Sequence, residues 1–204
     1  MKAEERNIYP VFERLISRDV KEEKLNQRAK AIWLTGLSGS GKTTVAVELE
    51  KKLFALGFFT QVLDGDNVRT GLCNNLGFSA EDRAENIRRI AELNKLMLNC
   101  GIICINCFVS PTIAVREQAK SIIGAEDFIE VFINTPLEIC EQRDVKGLYK
   151  KARAGEIKNF TGIDAPFEAP QENFIDIRTE HKSVGESADE LLEQILEQIS
   201  LNKA

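Results

Sequence analysis

The residues with the clearest chemical potential lie at 36–43 and read Gly-Leu-Ser-Gly-Ser-Gly-Lys-Thr. They fit the phosphate-loop pattern, in which a glycine is followed by four residues and then by Gly-Lys-Ser/Thr. Glycines let the backbone approach phosphate oxygens closely, and the N–H groups of the loop then point at them. Lys42 is expected to reach the outer phosphates of a nucleoside triphosphate, and Thr43 is expected to place its hydroxyl on Mg²⁺. The predicted ATP-binding residues are Gly36, Leu37, Ser38, Gly39, Ser40, Gly41, Lys42, Thr43 and Thr44.

A second candidate for chemistry is the acidic pair Asp64 and Asp66, which follows a short predicted strand at 60–63. Because the two are separated by one residue, an extended backbone would point both carboxylates the same way. One carboxylate could hold a metal-bound water, and the other could orient or deprotonate an attacking hydroxyl. The alternative is a solvated turn, since Asp-Gly-Asp-Asn is good turn chemistry. Beside a phosphate loop we favour the catalytic interpretation, with Lys42 as a further catalytic residue and with Thr43 and Asp64 as metal ligands.

Four arginines, Arg69, Arg83, Arg88 and Arg89, cluster around the start of a helix predicted at 82–99. Guanidinium groups suit an acidic ligand because they donate paired hydrogen bonds in a fixed geometry. We favour ligand binding for Arg69 and Arg83. For at least one of the other two we favour a solvated helix face, with the arginine paired to neighbouring acidic side chains.

Residues 144–173 interrupt the pattern of strands and helices and are predicted to form a long irregular insertion, which is usually functional. The insertion begins with a basic run at 146–153. A lid that closes over phosphates needs such charges, and a solvated loop is the alternative. Phe160 in the insertion and Phe78 in an earlier loop either hold a flat base between them or pack in the core.

Five apolar segments alternate with helical patterns along the chain. The predicted strands are 31–35, 60–63, 102–109, 128–133 and 174–177. Pro111, Pro136 and Ser187 are predicted to stand at helix starts. The alternation indicates one α/β domain over 1–204, with 1–30 as an N-terminal arm. We expect the three-layer fold of phosphate-loop nucleoside triphosphate hydrolases, with a five-stranded parallel sheet and helices on both faces.

The predicted sheet brings the chemical residues to one place. Ligands of such sheets bind beyond the carboxyl ends of the strands. The phosphate loop follows the first strand, the acidic pair follows the second, and Ser110 follows the third. All three therefore lie at one rim of the sheet. This common location is stronger evidence for a shared site than the type of any single residue.

Composition narrows the class of protein further. The formal net charge of -5 over 204 residues argues against a general nucleic-acid-binding protein. No apolar run approaches the roughly 18 residues of a membrane span, and the charged start lacks a signal-peptide region, so a cytoplasmic protein without a membrane partner is expected. Cys104 and Cys107 have redox or metal spacing, yet they lie three apart on a predicted strand and are expected to be buried thiols. We assign no role to His181, the single histidine.

Together these motifs resemble the bacterial, single-domain adenylylsulfate kinases. The segments that carry the resemblance are 34–44, 64–69, 76–79, 82–89, 110–111, 146–153 and 160–164. The resemblance implies transfer of the γ-phosphate of Mg-ATP to the 3′-hydroxyl of adenosine 5′-phosphosulfate (APS). The products would be 3′-phosphoadenosine 5′-phosphosulfate and ADP, and the enzyme would be a homodimer. Val145 and the segment 73–75 depart from the usual pattern, and these departures could loosen the lid entry and remove a charge near the substrate.

The resemblance also implies roles for single residues. The implied substrate-binding residues are Asp66, Arg69, Phe78, Arg83, Asn86, Lys146 and Phe160. The two phenylalanines would flank the substrate adenine, while the arginines and Asn86 would hold its phosphosulfate and ribose. Asp66, together with Asp64, would serve the metal and the attacking hydroxyl. Ser110 matches the serine named as a phosphoenzyme intermediate in bacterial members, or it orients the substrate only.

Two other functions are compatible with a phosphate loop. One is a kinase for a different nucleoside or for a sugar, which would not need the combination of Phe78, Arg83 and Phe160. The other is a GTP-dependent switch, which would need a guanine-reading Asn-Lys-x-Asp after a strand. Asn94 and Lys95 match its first two residues, but they lie in the middle of a predicted helix.

Overall fold

The computed structural model describes residues 7–201 and contains a five-stranded sheet in the order β2-β3-β1-β4-β5. All four strand pairings are parallel. The strands are β1 Ala31–Thr35, β2 Thr60–Asp64, β3 Ile103–Cys107, β4 Phe128–Ile133 and β5 Phe174–Ile177. The predicted parallel sheet is therefore confirmed, with β3 shorter than the apolar run at 102–109.

Eight α-helices connect or flank the strands within the described residues. They are α1 Arg18–Leu25, α2 Lys42–Ala55, α3 Gly65–Thr70, α4 Ala80–Leu98, α5 Ile113–Ile123, α6 Leu137–Arg143, α7 Leu148–Arg153 and α8 Val184–Ile199. Short 3₁₀ helices lie at Phe12–Arg14 and Ala125–Asp127. Within residues 7–201, no helix combines the length and the apolar character that crossing a membrane would require.

The sheet is covered on both faces by separate hydrophobic clusters. Helices α2 and α8 pack on the face that contains Ile32 and Cys107. Helices α4 and α5 pack on the other face, which contains Trp33 and Cys104. The two cysteines of the CxxC pair therefore point to opposite faces, and burial raises the pKa of each thiol to about 12. This confirms that they are buried packing residues.

Two predicted helix starts are wrong, and in both cases another side chain caps the helix. Thr112 caps α5 by accepting a hydrogen bond from the Val115 N–H, so Pro111 lies before the cap. Ser183 caps α8 in a reciprocal capping box with Glu186. Ser187 lies inside α8, because serine with glutamate three residues later is the stronger start signal.

The insertion at 144–173 is not irregular throughout, because it contains α7. The carboxylate of Asp144 accepts hydrogen bonds from the backbone N–H groups of Tyr149 and Lys150, both at 3.0 Å. A carboxylate in this position satisfies donors that a short helix leaves unpaired. One aspartate therefore fixes the start of a six-residue helix that the hydrophobic pattern does not reveal.

The arm at 1–30 contains α1, while residues 1–6 lie outside the described residues. Arg18 in α1 forms an ion pair with Asp127 and donates to the carbonyl of Ala29 at 2.6 Å. Gln27 joins the backbones of Phe59 and Gly101, next to the amino ends of β2 and β3. This part of the arm covers the end of the sheet opposite the phosphate loop.

Candidate active site

The phosphate loop lies between β1 and α2, where two glycines are sterically required. Gly36 has a φ of 146°, and a Cβ there would lie 2.6 Å from the carbonyl oxygen of Ile133. Gly39 has a φ of 74°, and its Cβ would lie 3.0 Å from the carbonyl oxygen of Cys140. The loop is thus wedged against the end of β4 and against α6, with no space for larger residues at these two positions.

Lys42 lies inside the curve of the loop. Its Nζ donates to the carbonyl oxygens of Gly36 at 2.9 Å and Leu37 at 2.7 Å, and the residue is only 8% exposed. Burial lowers the pKa of Lys42 to about 8, since desolvation penalises the charged form. The ammonium group is therefore held at the site with little surrounding water.

The outer side of the loop is fixed by three side chains that the sequence analysis missed. The carbonyl oxygen of Ser40 accepts hydrogen bonds from Thr135 Oγ1 at 2.9 Å, Thr179 Oγ1 at 3.0 Å and Arg143 Nη1 at 3.2 Å. The two threonines follow β4 and β5, so the rule that sites lie beyond strand ends could have found them. Arg143 ends α6 and carries no comparable signal.

The acidic pair lies beside the start of α2, but in a different local structure from the predicted one. Thr43 Oγ1 donates to Asp64 Oδ2 at 2.7 Å. The other carboxylate oxygen of Asp64 accepts from the backbone N–H groups of Asp66 and Asn67, which begins α3. The expectation of an extended Asp64–Asp66 segment is therefore wrong, because Asp64 acts as a helix cap and Asp66 lies in the first helical turn.

The insertion reaches this part of the site through Lys146. Its ammonium group forms an ion pair with Asp66. The Asp66 side chain is 72% exposed, so the pair lies at the open surface of the cleft. Lys146 therefore joins the segment before α7 to the first turn of α3.

Ser110 follows β3 on the same rim, and it is only 2% exposed. Its Oγ accepts from Trp33 Nε1 at 3.1 Å and donates to Thr35 Oγ1 at 3.0 Å. Its φ is 37°, in a region that non-glycine residues seldom adopt. The hydroxyl is thus used to join the end of β1 to the segment after β3.

Arg83 connects the two loops that carry the predicted aromatic residues. It donates to the carbonyl oxygens of Phe78 at 3.0 Å and Asn159 at 2.9 Å, and to Thr161 Oγ1 at 3.1 Å. The Arg69 guanidinium lies 4.5 Å from the centre of the Phe78 ring. The Phe78 residue is 68% exposed and is therefore not a core residue.

Arg88 and Arg89 differ from Arg69 and Arg83, because both are paired with a carboxylate on their own helix. Both donate to the carboxylate of Glu85, at 2.7 Å and 2.9 Å respectively. Hydrogen bonds from Arg88 and then Arg89 lower the pKa of Glu85 to about 2. Arg88 therefore lies on a solvated helix face, as predicted for at least one of the two. Arg89 also donates to the Leu72 carbonyl at 3.1 Å and to Asn75 Oδ1 at 2.7 Å, so it ties α4 to the preceding loop.

Asn86, one helical turn after Arg83, is buried, and its Oδ1 has no hydrogen-bond partner among the described residues. A buried polar atom without a partner costs roughly 1–3 kcal/mol. Separately, a groove of about 560 Å³ is lined by Leu37 of the phosphate loop and by residues 162–167 of the insertion. The site thus retains both an unused acceptor and open space beside the phosphate loop.

The chain is similar to known proteins both in sequence and in fold. A sequence model of the adenylylsulphate kinase family matches residues 28–178. The chain belongs to the adenylylsulfate kinase family. It is 58% identical over 193 residues to an adenylyl-sulfate kinase of Phocaeicola vulgatus, covering 95% of each chain. It is 56% identical over 197 residues to one of Bacteroides fragilis, covering 97% of this chain and 98% of the relative.

A solved structure of the same family has the same fold. The APS kinase CysC of Mycobacterium tuberculosis, in complex with AMPPNP and APS, superimposes with a TM-score of 0.79 at 46% identity. The alignment covers 83% of this chain and 98% of that one. The predicted resemblance, the phosphate-loop kinase fold and the ATP-dependent phosphorylation of APS are therefore confirmed for this family member.

The alternative of a guanine-reading switch fails on the position of Asn94. This residue is buried in the middle of α4, where its Nδ2 donates to Asn106 Oδ1 and to the Ile90 carbonyl, both at 2.8 Å. Asn106 Nδ2 donates back to Asn94 Oδ1 at 2.9 Å. The amide therefore ties α4 to β3 inside the core and cannot read a base.

Proposed function

We propose that this kinase transfers the γ-phosphoryl group of Mg-ATP to the 3′-hydroxyl of APS through the residues of the rim described above. The observation that carries the assignment is a continuous polar chain. Thr43 is bonded to Asp64, Asp64 accepts from the N–H of Asp66, and Asp66 is paired with Lys146. This chain joins the phosphate loop to an exposed carboxylate and to a lid cation.

On the ATP side, the N–H groups of residues 36–44 bind the phosphates and Lys42 binds the outer ones. The Thr43 hydroxyl and the Asp64 carboxylate would hold Mg²⁺, since both supply the hard oxygen atoms that this ion prefers. When bound, the ion supplies neutralisation of charge on the phosphates. The two groups already lie together, since Thr43 Oγ1 donates to Asp64 Oδ2 at 2.7 Å.

On the acceptor side, Phe78 and Phe160 would enclose the adenine of APS. The support is that Arg83 bonds on one side to the Phe78 carbonyl and on the other to residues that flank Phe160. Arg69 and Arg83 would bind the phosphosulfate as charge-assisted donors. The buried, unpaired Oδ1 of Asn86 would accept a hydrogen bond from a ligand hydroxyl such as that of the ribose.

In the transfer step, Asp66 orients the 3′-hydroxyl and accepts its proton while the oxygen attacks the γ-phosphorus. The new 3′-O–P bond forms as the bond between the γ-phosphorus and its bridging oxygen breaks, and ADP leaves. Lys42 and Lys146 stabilise the charge on the transferring group, which is the main requirement of such loose transition states. The lid lysine exchanges its contact with Asp66 for one with the phosphates.

Ser110 needs no covalent role in this scheme. Its hydroxyl is buried and bonded to Trp33 and Thr35, which supports an orienting function for the backbone after β3. Direct transfer between two bound nucleotides requires positioning and charge neutralisation and does not require a phosphoenzyme.

The proposed function extends to the domain division, the oligomeric state and the cellular location of the protein. We take 1–204 as one kinase domain, with 144–173 as the lid and substrate loop and 1–30 as an arm. A homodimer is supported by the exposed apolar side chains of the arm, which a second copy would cover; they are Ile8, Tyr9, Val11, Phe12, Leu15 and Ile16. A cytoplasmic location is supported by the use of ATP and by five unpaired cysteines.

The decisive experiment measures ADP release with Mg-ATP in the presence and in the absence of APS. We expect strong stimulation by APS and a product that carries the new phosphate on the 3′-oxygen, as shown by mass spectrometry and phosphorus NMR. The matched control is APS that lacks the 3′-hydroxyl, which should bind without stimulating ADP release beyond background. Equal ADP release with the 3′-deoxy compound would remove the assignment.

A further inference from the structure

Tyr149 is a buried residue that contacts both halves of the site. Its hydroxyl donates to the carbonyl oxygen of Ser38 in the phosphate loop at 2.9 Å. Its ring meets the Phe160 ring edge to face, with centroids 5.0 Å apart and planes at 80°. The residue is 3% exposed, so neither contact is an incidental surface approach.

The position of Tyr149 is itself fixed by the chain. Asp144 accepts from the Tyr149 N–H at 3.0 Å and thereby anchors the first turn of α7. Burial raises the pKa of the Tyr149 hydroxyl, which therefore stays protonated and remains a donor. The side chain can thus act as a rigid link rather than as an adjustable contact.

A rigid link between two ligand-binding elements couples the ligands. When the phosphate loop is ordered around the triphosphate, the Ser38 carbonyl is fixed, and with it the tyrosine ring. The ring then fixes the orientation of Phe160, so less ordering is left for the second nucleotide to impose. Such coupling is reciprocal by thermodynamic necessity.

We propose that Tyr149 is a positioning residue that couples ATP binding at the phosphate loop to APS binding at Phe160. This inference rests on the proposed placement of the APS adenine against Phe160. In the native enzyme, occupancy of the phosphate loop by the triphosphate tightens APS binding. Removal of the tyrosine hydroxyl separates the two events without removing either ligand's own contacts.

The test measures the dissociation constant of APS by calorimetry, with and without saturating AMPPNP and Mg²⁺. In the unaltered enzyme we expect AMPPNP to tighten APS binding at least fivefold, the lower end of ordinary allosteric coupling. In Tyr149→Phe the factor should fall below about twofold, while the affinity for APS alone stays unchanged. The KM for APS at saturating ATP should rise by the factor that is lost, which general structural damage would not reproduce.

Two controls isolate the contact. Tyr9→Phe removes a hydroxyl from the other tyrosine, which is exposed, and should leave the coupling factor unchanged. Phe78→Ala should weaken APS binding and retain the factor, since the Phe78 ring lies against the guanidinium groups of Arg69 and Arg83 and is not part of the link through Tyr149. Thermal unfolding verifies that each variant is folded. Phe160→Leu is a second test variant, and it should also lose the coupling factor between AMPPNP and APS binding.

The results separate this inference from the proposed function. An unchanged coupling factor in Tyr149→Phe, or no coupling in the unaltered enzyme, would overturn the inference alone. Unchanged APS affinity in Phe160→Leu would overturn the proposed adenine site and this inference with it. Loss of the factor in both variants, with retention in the two controls, is the supporting result.

Discussion

The two halves of the active site are built in opposite ways. The phosphate loop is packed into the protein: Lys42 is buried, and the Ser40 carbonyl alone accepts three side-chain hydrogen bonds. The acceptor half is open, because Phe78 and the Asp66 carboxylate are mostly exposed. Its loops are held together chiefly by the long side chain of Arg83.

The difference follows from what each half recognises. A triphosphate is bound by backbone N–H groups, whose directions must be fixed before the ligand arrives, and that requires a rigid loop. In the proposed site the sulfonucleotide is bound by side chains, which can adjust around it. We therefore expect changes in the phosphate loop to reduce kcat strongly, and changes in the acceptor half to act mainly on the KM for APS.

The largest effect should come from Lys42→Ala. Removing the ammonium group should lower kcat by a factor on the order of 10³ or more, since the transferring phosphate loses its nearest fixed cation. The measurement is ADP release at saturating ATP and APS. Lys52→Ala is the matched control, because Lys52 lies on the same helix and pairs with Asp189 at the surface. If folded Lys42→Ala kept more than a tenth of normal turnover, Lys42 would not have the proposed role at the transferring phosphate.

The next effect tests the open half. Arg83→Ala should raise the KM for APS about 30-fold, since it removes a charge-assisted donor and also releases residues 159–161. The KM for ATP should change less than about twofold. Arg88→Ala is the control, because that guanidinium is paired with Glu85 on the exposed helix face. Equal increases in the KM for APS in Arg83→Ala and Arg88→Ala would show that Arg83 has no specific role in APS binding.

A third effect concerns the charge of Lys42. Its pKa of about 8 lies below the usual lysine value, so the free enzyme loses the ammonium charge as the pH rises through 8. The kcat/KM for ATP should fall about fivefold between pH 8 and pH 9. At saturating ATP the bound triphosphate raises the pKa again, so kcat should stay level over the same interval. A level kcat/KM up to pH 9 would contradict this prediction.

The same contrast explains what the sequence could and could not predict. The strands at 31–35, 128–133 and 174–177 are mainly apolar, with one polar residue each, and their bounds agree with the structure residue for residue. The phosphate loop is equally easy to predict from the sequence, since a larger residue would not fit at Gly36 or Gly39. These features depend on local chain properties and on burial, which the pattern of residue types records directly.

The missed features depend on contacts between distant segments. Thr135, Arg143 and Thr179 donate to one backbone carbonyl of the phosphate loop. Their positions after β4 and β5 place the two threonines at the correct edge of the sheet, but no sequence pattern connects any of the three to that carbonyl. Helix α7 depends on capping by Asp144, and the turn after β2 depends on Asp64 accepting backbone hydrogen bonds. Polar side chains that bond to backbone leave a weak sequence signal, because many alternative partners fit equally well.

The smallest effect should come from Ser110→Ala, and it decides how the rim between the two halves works. Loss of the hydroxyl removes hydrogen bonds to Trp33 and Thr35, which should lower stability by about 1 kcal/mol. Turnover should fall less than about threefold, because neither binding half loses a ligand contact. Thr112→Ala, which removes a hydroxyl from the nearby cap of α5, controls for local loosening. An inactive but folded Ser110→Ala, beside an active Thr112→Ala, would show that the buried serine takes part in the transfer itself. The site would then contain a covalent element in addition to its rigid ATP half and its adjustable acceptor half.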